Sequence, residues 1–295
     1  MSIIYNAKNI YSENSIYRPL WVYRSKFIIR AIFYYRSYKY ICNNIPELTL
    51  KNLCNKDPRF LEKPFRPYVI NGIKAIEKAN FITNHFLFVS TLHPYIESKI
   101  YNDINGLLLF IFKFQDYNYS FRLKYLPRYQ KEGDMSLVLC DEMNINFYTL
   151  TFSINYVNGS KHLIIGGLQG PASNHNNNQK IKLLTKSLHG QRPKDLIVKI
   201  ITIIANVWQI DALLAVKQKH HIYSAKRYTK GKVKMDYDKH WIALGGHEFN
   251  KYCYILPMNN IQRSFENIPR NKRTMYHARY EWLDNTSKLI KNTLI

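Results

Sequence analysis

Disulfide and metal chemistry have little to work with in this chain. Its four cysteines, Cys42, Cys54, Cys140 and Cys253, lie far apart and form no CxxC pair, so neither a disulfide framework nor a zinc site is indicated. The ten histidines give one adjacent pair, His220-His221, and no HExxH spacing. No metal is expected. Near the middle, the longest purely apolar run is Leu107 to Phe112, six residues, far short of the ~20 that a spanning helix needs. The opening MSIIYNAKNIYSEN has no basic segment followed by an apolar one, so no secretory signal is visible. A cytoplasmic chain is expected, with the membrane surface still open to it.

Negative charge is also scarce. Against 43 Lys and Arg there are 20 Asp and Glu, a formal net charge of +23. Such a chain favours anionic partners: phosphate-bearing cofactors, acidic lipid headgroups or nucleic acid. Ile, Asn, Lys and Tyr are all abundant, the mark of an AT-rich genome, so codon bias accounts for part of the lysine. With 46% hydrophobic residues in a chain of 295, a sizeable core is expected, in one large domain or two smaller ones.

Residues 1–103 read as a helical region and residues 104–295 as an α+β domain. Ile16 to Ile41 holds no acidic residue but carries Arg18, Arg24, Lys26, Arg30, Arg36 and Lys39. Leu20, Phe27, Ala31, Tyr34 and Tyr38 share one helical face, while Ile29 and Phe33 sit opposite. A helix that packs inside the domain and one that lies on an anionic membrane surface both fit this pattern. Helices are further predicted over 71–84 and 93–101, with short turns from Pro46 to Pro67.

After residue 103 the period changes to that of strands, over 106–115, 119–126 and 137–140. Phe147 to Tyr156 alternates aromatic and aliphatic residues with Thr149, Thr151, Ser153 and Asn155. Asn158-Gly159 predicts a type I′ hairpin returning through His162 to Gly167. Pro171 to Leu188, with its Asn-rich run, reads as a solvated loop. A helix from Pro193 to Gln209, with Lys199, Thr202 and Asn206 outward, precedes a strand at 212–216, the crossover a parallel pair demands. Short helices at 221–228 and from Met235 to Gly245-Gly246, a strand at 251–256 and a last helix at 269–290 complete the chain.

The stretch from Lys161 to Gln218 carries the chemistry. His189-Gly190-Gln191-Arg192-Pro193-Lys194 is a glycine turn opening a proline-started helix with two cations at its mouth. Unpartnered helix-start amides and the helix dipole favour an anion there, although a plain loop-to-helix turn with solvated basic side chains has the same local sequence. Gly166-Gly167 predicts a close approach of a ligand or of neighbouring backbone at the strand end, with a bulge.

Ile165-Gly166-Gly167-Leu168-Gln169-Gly170-Pro171, Leu188 to Lys194, His221-x-Tyr223, Arg227-Tyr228, Asp236-Tyr237-Asp238-x-x-Trp241-x-x-Leu244-Gly245-Gly246 and Lys272-Arg273-x-x-Tyr276-x-x-Arg279-Tyr280 together resemble the bacterial VirK/YbjX family, over roughly residues 105–285. That resemblance implies a virulence-associated role at the cell envelope, in surface protein display and in resistance to antimicrobial peptides. It implies envelope or virulence proteins as partners, but no reaction. The order of elements is also similar to the GNAT acyltransferase core, a mixed and mostly antiparallel sheet flanked by helices. This second resemblance implies acyl-CoA or acyl-carrier protein as donor, held at His189 to Lys194, and Tyr228 as general acid. The turn departs from the GNAT Q/R-x-x-G-x-G/A signature, and residues 172–188 intervene before it.

The candidate site residues are therefore Gly166, Gly167, Gly190, Arg192 and Lys194 for a cofactor, Tyr228, His189 and His221 for proton transfer, and Tyr223, Asp236 and Asp238 for substrate. Each has a plain structural alternative. Tyr228 is one of 24 tyrosines, His189 is in a loop, and Asp236 and Asp238 suit a helix N-terminus. Three functions are compatible with the sequence: an acyltransferase at the inner face of the cytoplasmic membrane, a non-catalytic membrane adaptor or chaperone-like protein, and a nucleic-acid binder. The last has no recognised motif to support it.

Overall fold

The computed structural model describes residues 3–10, 19–57, 59–114, 117–226, 228, 235–259 and 264–295. The chain opens with helices α1 (Ile3–Ile10), α2 (Leu20–Phe33), α3 (Tyr35–Asn44) and α4 (Glu47–Lys56), a 3-10 turn at Phe60–Phe65, then α5 (Ala75–Val89) and α6 (Pro94–Tyr101). A meander follows: β1 (Leu107–Phe114), β2 (Tyr117–Lys124), β3 (Met135–Cys140), β4 (Asn146–Val157) and β5 (Ser160–Gln169). Helices α7 (His175–Ser187) and α8 (Pro193–Val207) lead to β6 (Ala212–Val216). Then come α9 (Tyr237–Ala243), β7 (His247–Glu248), β8 (Cys253–Leu256) and α10 (Arg273–Leu294).

The eight strands form one sheet in the order β1-β2-β3-β4-β5-β6-β8-β7. Among the described strands, only β5 and β6 run parallel. The α+β class and the helical N-terminal region expected from the sequence are therefore those of the molecule. Asn158 (φ +51°) and Gly159 (φ +83°) both adopt the left-handed conformation that the β4–β5 hairpin needs. Among the described residues, no helix is long and apolar enough to cross a membrane.

Both faces of β4 are buried. One carries Leu150, Phe152 and Ile154 towards the core. The other presents Thr149, Thr151, Ser153 and Asn155, also buried, and the N-terminal layer meets it with hydrogen bonds as well as with hydrocarbon. Asn84 donates to Asn155 Oδ1 (2.7 Å), and Tyr68 Oη meets Ser153 Oγ at 3.1 Å. The β4 amide of Ile154 donates to His85 Nδ1 (3.1 Å). His85 Nε2 therefore carries the proton and faces Tyr101 Oη at 2.7 Å, and Tyr101 in turn donates to the Asp134 carbonyl (3.2 Å). Burial lowers the His85 pKa to about 4, keeping the ring neutral in this role. Lys63 and Tyr68 both donate to the buried Asp134 carboxylate.

Several elements differ from the sequence reading. Residues 175–187 are helical, not a loop: Asn174 caps the start by accepting from Asn177 N (2.8 Å), and Leu184 anchors the helix in the core. In α8 Thr202 is buried instead of outward, satisfying its hydroxyl on the Val198 carbonyl (2.9 Å). The near-continuous apolar run of β1 suits a strand covered on both faces. It lies at the sheet edge, with Ile111 exposed, while α10 covers its other side through Trp282 against Phe110 and Phe112. Helix α2 buries Phe27 and Ala31 but leaves a second apolar face in solvent.

Candidate functional site

Pairing of β5 with β6 ends at Ile165 and Ala215, while β5 continues along β4 to Gln169. The two strands thus part, and a cleft of about 910 Å³ opens at their carboxyl ends, the position where α/β sheets commonly bind ligands. Leu168 to Ser173 form one wall. Lys194, from the first turn of α8, stands on its rim, and His221, Tyr223 and Tyr237 line the side beyond β6.

Tyr237 fills the throat of the opening. Its hydroxyl accepts from Leu168 N (2.9 Å) and donates to Leu168 O (3.1 Å), so the strand groups that β6 leaves unpaired are both satisfied by one side chain. Burial, then the nearby Glu132, hold its pKa well above that of free tyrosine.

Behind the throat lies an acidic residue that the sequence did not draw attention to. Glu132 is fully buried and packs directly on the glycine pair. A Cβ on Gly166 would meet the Glu132 carbonyl oxygen, and one on Gly167 its carboxylate. Of the two alternatives for Gly166-Gly167, the structure thus places neighbouring chain there, and the β4–β5 register slips at Gly166 as a bulge. Gln169 Nε2 donates to Glu132 Oε1 (2.9 Å). His221 Nε2 stands 3.7 Å from the same oxygen, while its Nδ1 accepts from Tyr223 N (3.3 Å), which puts the ring proton on Nε2 facing the carboxyl. The imidazole stacks on Tyr237 at 4.9 Å.

Burial pushes the Glu132 pKa up to about 8, against the pull of Gln169, and lowers that of His221 to about 4. Both shifts favour neutral groups. A neutral acid beside a neutral imidazole holds the same single proton as an ion pair, so the pair keeps one proton between about pH 4 and 8. Tyr223 is half-buried at the cleft wall, its pKa raised to about 12 by burial and then by Glu132.

The expected cofactor turn is present but divided. Arg192 is the N-cap of α8, with no side-chain cap bond, and Pro193 is its first helical residue. Lys194 turns to the large cleft, whereas Gly190 and Arg192 line a separate concavity of about 490 Å³ with Gln191, Lys199 and Arg279. His189 lies in neither. Its backbone is left-handed (φ +51°), and its carbonyl accepts from Arg279 Nε (3.0 Å). Asp236 caps α9 through Lys239 N (3.0 Å) and Asp238 accepts from Gln218 N (2.8 Å). Both serve the backbone, and neither lines either concavity. Tyr228 packs edge-on against Tyr223 at 5.1 Å, behind the cleft wall. Its neighbour Arg227 lies outside the described residues.

Of the expected residues, then, Lys194, His221 and Tyr223 converge on the cleft. Glu132, Tyr237 and Gln191 are additions. The signal for Glu132 was available: Glu132-Gly133-Asp134 is a tight acidic pair before a strand in a chain poor in acid. Among the described residues, no group of three or more His, Cys, Asp or Glu side chains is placed to hold a metal ion.

The chain is 28% identical over 240 residues to the uncharacterized protein YbjX of Escherichia coli, covering 80% of this chain and 72% of that one. Two uncharacterized proteins of Haemophilus influenzae are 30% and 32% identical over 153 and 149 residues, and the matches span about half of each. No solved structure matches. A family model described as a protein of unknown function, DUF535, covers residues 20–292 of the fold and of both concavities, and the chain belongs to that family.

Proposed function

We propose that the chain is a transferase taking an anionic acyl donor, acyl-CoA or acyl-carrier protein, in the cleft where β5 and β6 part. The observation that carries this reading is the meeting of Lys194 at a proline-started helix with Tyr223 across one cleft. The strand order, with one parallel pair bridged by a helix, is compatible with a GNAT-like scaffold, which is an argument by analogy. In this reading Lys194 draws in the donor's negative charge and polarises its carbonyl. Tyr237 already donates its hydroxyl hydrogen bond to Leu168 O, so that hydroxyl is engaged by the strand. A nucleophilic group of the acceptor bonds to the acyl carbon as the carbon–sulfur bond breaks. Tyr223, protonated at neutral pH, gives its proton to the departing thiolate, and the proton lost by the acceptor restores Tyr223 through solvent. Tyr223 thus takes the general-acid role expected of Tyr228. The Glu132–His221 pair behind it, neutral at both members, adds no net charge to that wall.

Calorimetry with acyl-CoA and with acyl-carrier protein tests the reading. Saturable binding that weakens about tenfold in Lys194→Ala is expected, as is a Tyr223→Phe chain that binds normally but turns over roughly 10²-fold more slowly. No heat with either donor sinks the proposal.

A second reading, a membrane adaptor at the envelope as the family likeness implies, is favoured by α2. Trp21, Ile29 and Phe33 are 69%, 65% and 78% exposed on one side of that helix. Helices α1 to α3 contain Lys8, Arg24, Lys26, Arg30, Arg36 and Lys39 and no acidic residue. Apolar and aromatic bodies ringed by cations suit an anionic lipid surface. The two readings are compatible, since an acyltransferase of envelope components works beside a membrane.

A further inference from the structure

The concavity on the other side of the α8 start is not used by the transferase reading, yet it holds a polar group that the described residues leave without a partner. Gln191 is 5% exposed, lines this concavity, and among the described residues neither its Oε1 nor its Nε2 has a hydrogen-bond partner. A buried amide with both ends unsatisfied costs on the order of one hydrogen bond's desolvation at each end. Replacing it by an apolar residue of the same size would relieve that cost, so the fold alone does not account for a glutamine here.

The surroundings indicate what would satisfy it. Arg192, Lys199 and Arg279 line the same concavity, opposed by one carboxylate, Asp195. Arg279 is held in place: it donates to the His189 carbonyl, and its guanidinium lies 4.3 Å from the Tyr276 ring centroid. The same guanidinium packs against Gly190, where a Cβ would come within 3.1 Å of Nη2. The start of α8, which has no side-chain cap, adds its dipole beside them. Three cations and a helix start are an excess of positive potential that Asp195 only partly offsets.

We propose that this second concavity is a binding site for a phosphate-bearing small molecule. Its phosphoryl oxygens would be held by Arg192, Arg279, Lys199 and the Gln191 Nε2, and a hydroxyl or N–H of the same ligand would donate to Gln191 Oε1. Burial and the neighbouring Arg279 lower the Lys199 pKa to about 8, and an oxyanion between the two cations removes that repulsion. The site is separate from the cleft that holds Lys194, His221 and Tyr223, so it stands whether or not the chain transfers acyl groups. Its ligand is either a second substrate or an effector, and the chemistry of recognition is the same for both.

The test uses the full chain with inorganic phosphate as probe, against chloride at matched ionic strength, read by thermal unfolding and by calorimetry. Saturable stabilisation by phosphate is expected, with the dissociation constant raised about tenfold or more in Arg192→Ala and in Gln191→Leu. Arg192 is exposed, so its loss leaves the core intact. Gln191→Leu is expected to raise the melting temperature in chloride, because it removes an unsatisfied amide. Lys194→Ala is expected to leave phosphate binding unchanged, which separates this site from the acyl-donor cleft. Phosphate binding equal in the parent, Arg192→Ala and Gln191→Leu overturns the proposal, as does stabilisation no greater than chloride gives.

Discussion

At the scale of single residues, Glu132 shows how a carboxyl can be built into a core without a cation beside it. It is shielded by two glycines, one glutamine donor and a neutral imidazole. A carboxyl whose folded pKa is about 8, above its ordinary 4.5, stabilises the fold fully below pH 4.5 and loses that contribution as pH rises through 8. His221 has the opposite sign: its pKa falls from 6.5 to about 4, so its contribution is present above pH 6.5 and is lost as pH falls through 4. Glu132→Gln is therefore expected to flatten the decline in stability between pH 5 and 8, by up to about 4 kcal/mol at the alkaline end. Urea unfolding of both chains across that range checks this, and superimposable pH profiles would refute it. The sequence could signal that something approaches Gly166-Gly167, because only glycine tolerates such contact. It could not say what, because the partner lies a hairpin and a strand away in the chain.

Among the elements, legibility followed periodicity. The β4–β5 hairpin was plain because its turn chemistry and alternation agree, and α8 was plain because ten of its residues are buried at helical spacing. Helix α7 was masked by its asparagines: Asn174 is the cap, and only Leu184 of the thirteen residues is fully buried, too thin an apolar stripe to outweigh the polar run. Helix α2 is ambiguous for a physical reason, since it has two apolar faces and, among its described residues, only Phe27 and Ala31 are buried. The other face gives an expectation of its own. Vesicles containing anionic lipid should float the parent chain but not Trp21→Asp/Phe33→Asp, whose altered side chains stand outside the core. Equal flotation of both would dismiss this face as the anchor. Deleting α2 and α3 outright would be uninformative, because Tyr38 and Ile41 are part of the core.

For the whole molecule, the join between the helical layer and the sheet carries a buried polar network inside an apolar surround. Lys63 and Tyr68 come from the helical layer, and Asp134 from the turn entering β3. Ser153 of β4 meets both Tyr68 Oη and Asp134 N at 3.1 Å. Burying such a pair is costly, and breaking it is costlier, because the survivor keeps its charge in a dry interior. Asp134→Ala, which strands the Lys63 ammonium, is expected to lower stability by about 3–5 kcal/mol. Asp134→Ala combined with Lys63→Met should recover a good part of that loss. Denaturant titration of the single and double variants measures the coupling, and a loss that the second substitution does not relieve would show that Asp134 acts through its other bonds. No residue pattern announces this network, because Lys63 and Asp134 stand 71 residues apart in the chain.

The single parallel pair also imposes an order on synthesis. When β5 leaves the ribosome the whole meander from β1 to β5 is available, yet β6, its only partner on the far side, follows two helices later. Until then Leu163, Ile164 and Ile165 present an unpaired, apolar margin to any passing strand. The nascent chain thus carries its most adhesive edge beside the nascent cleft, and α8 must settle over the sheet before either is closed.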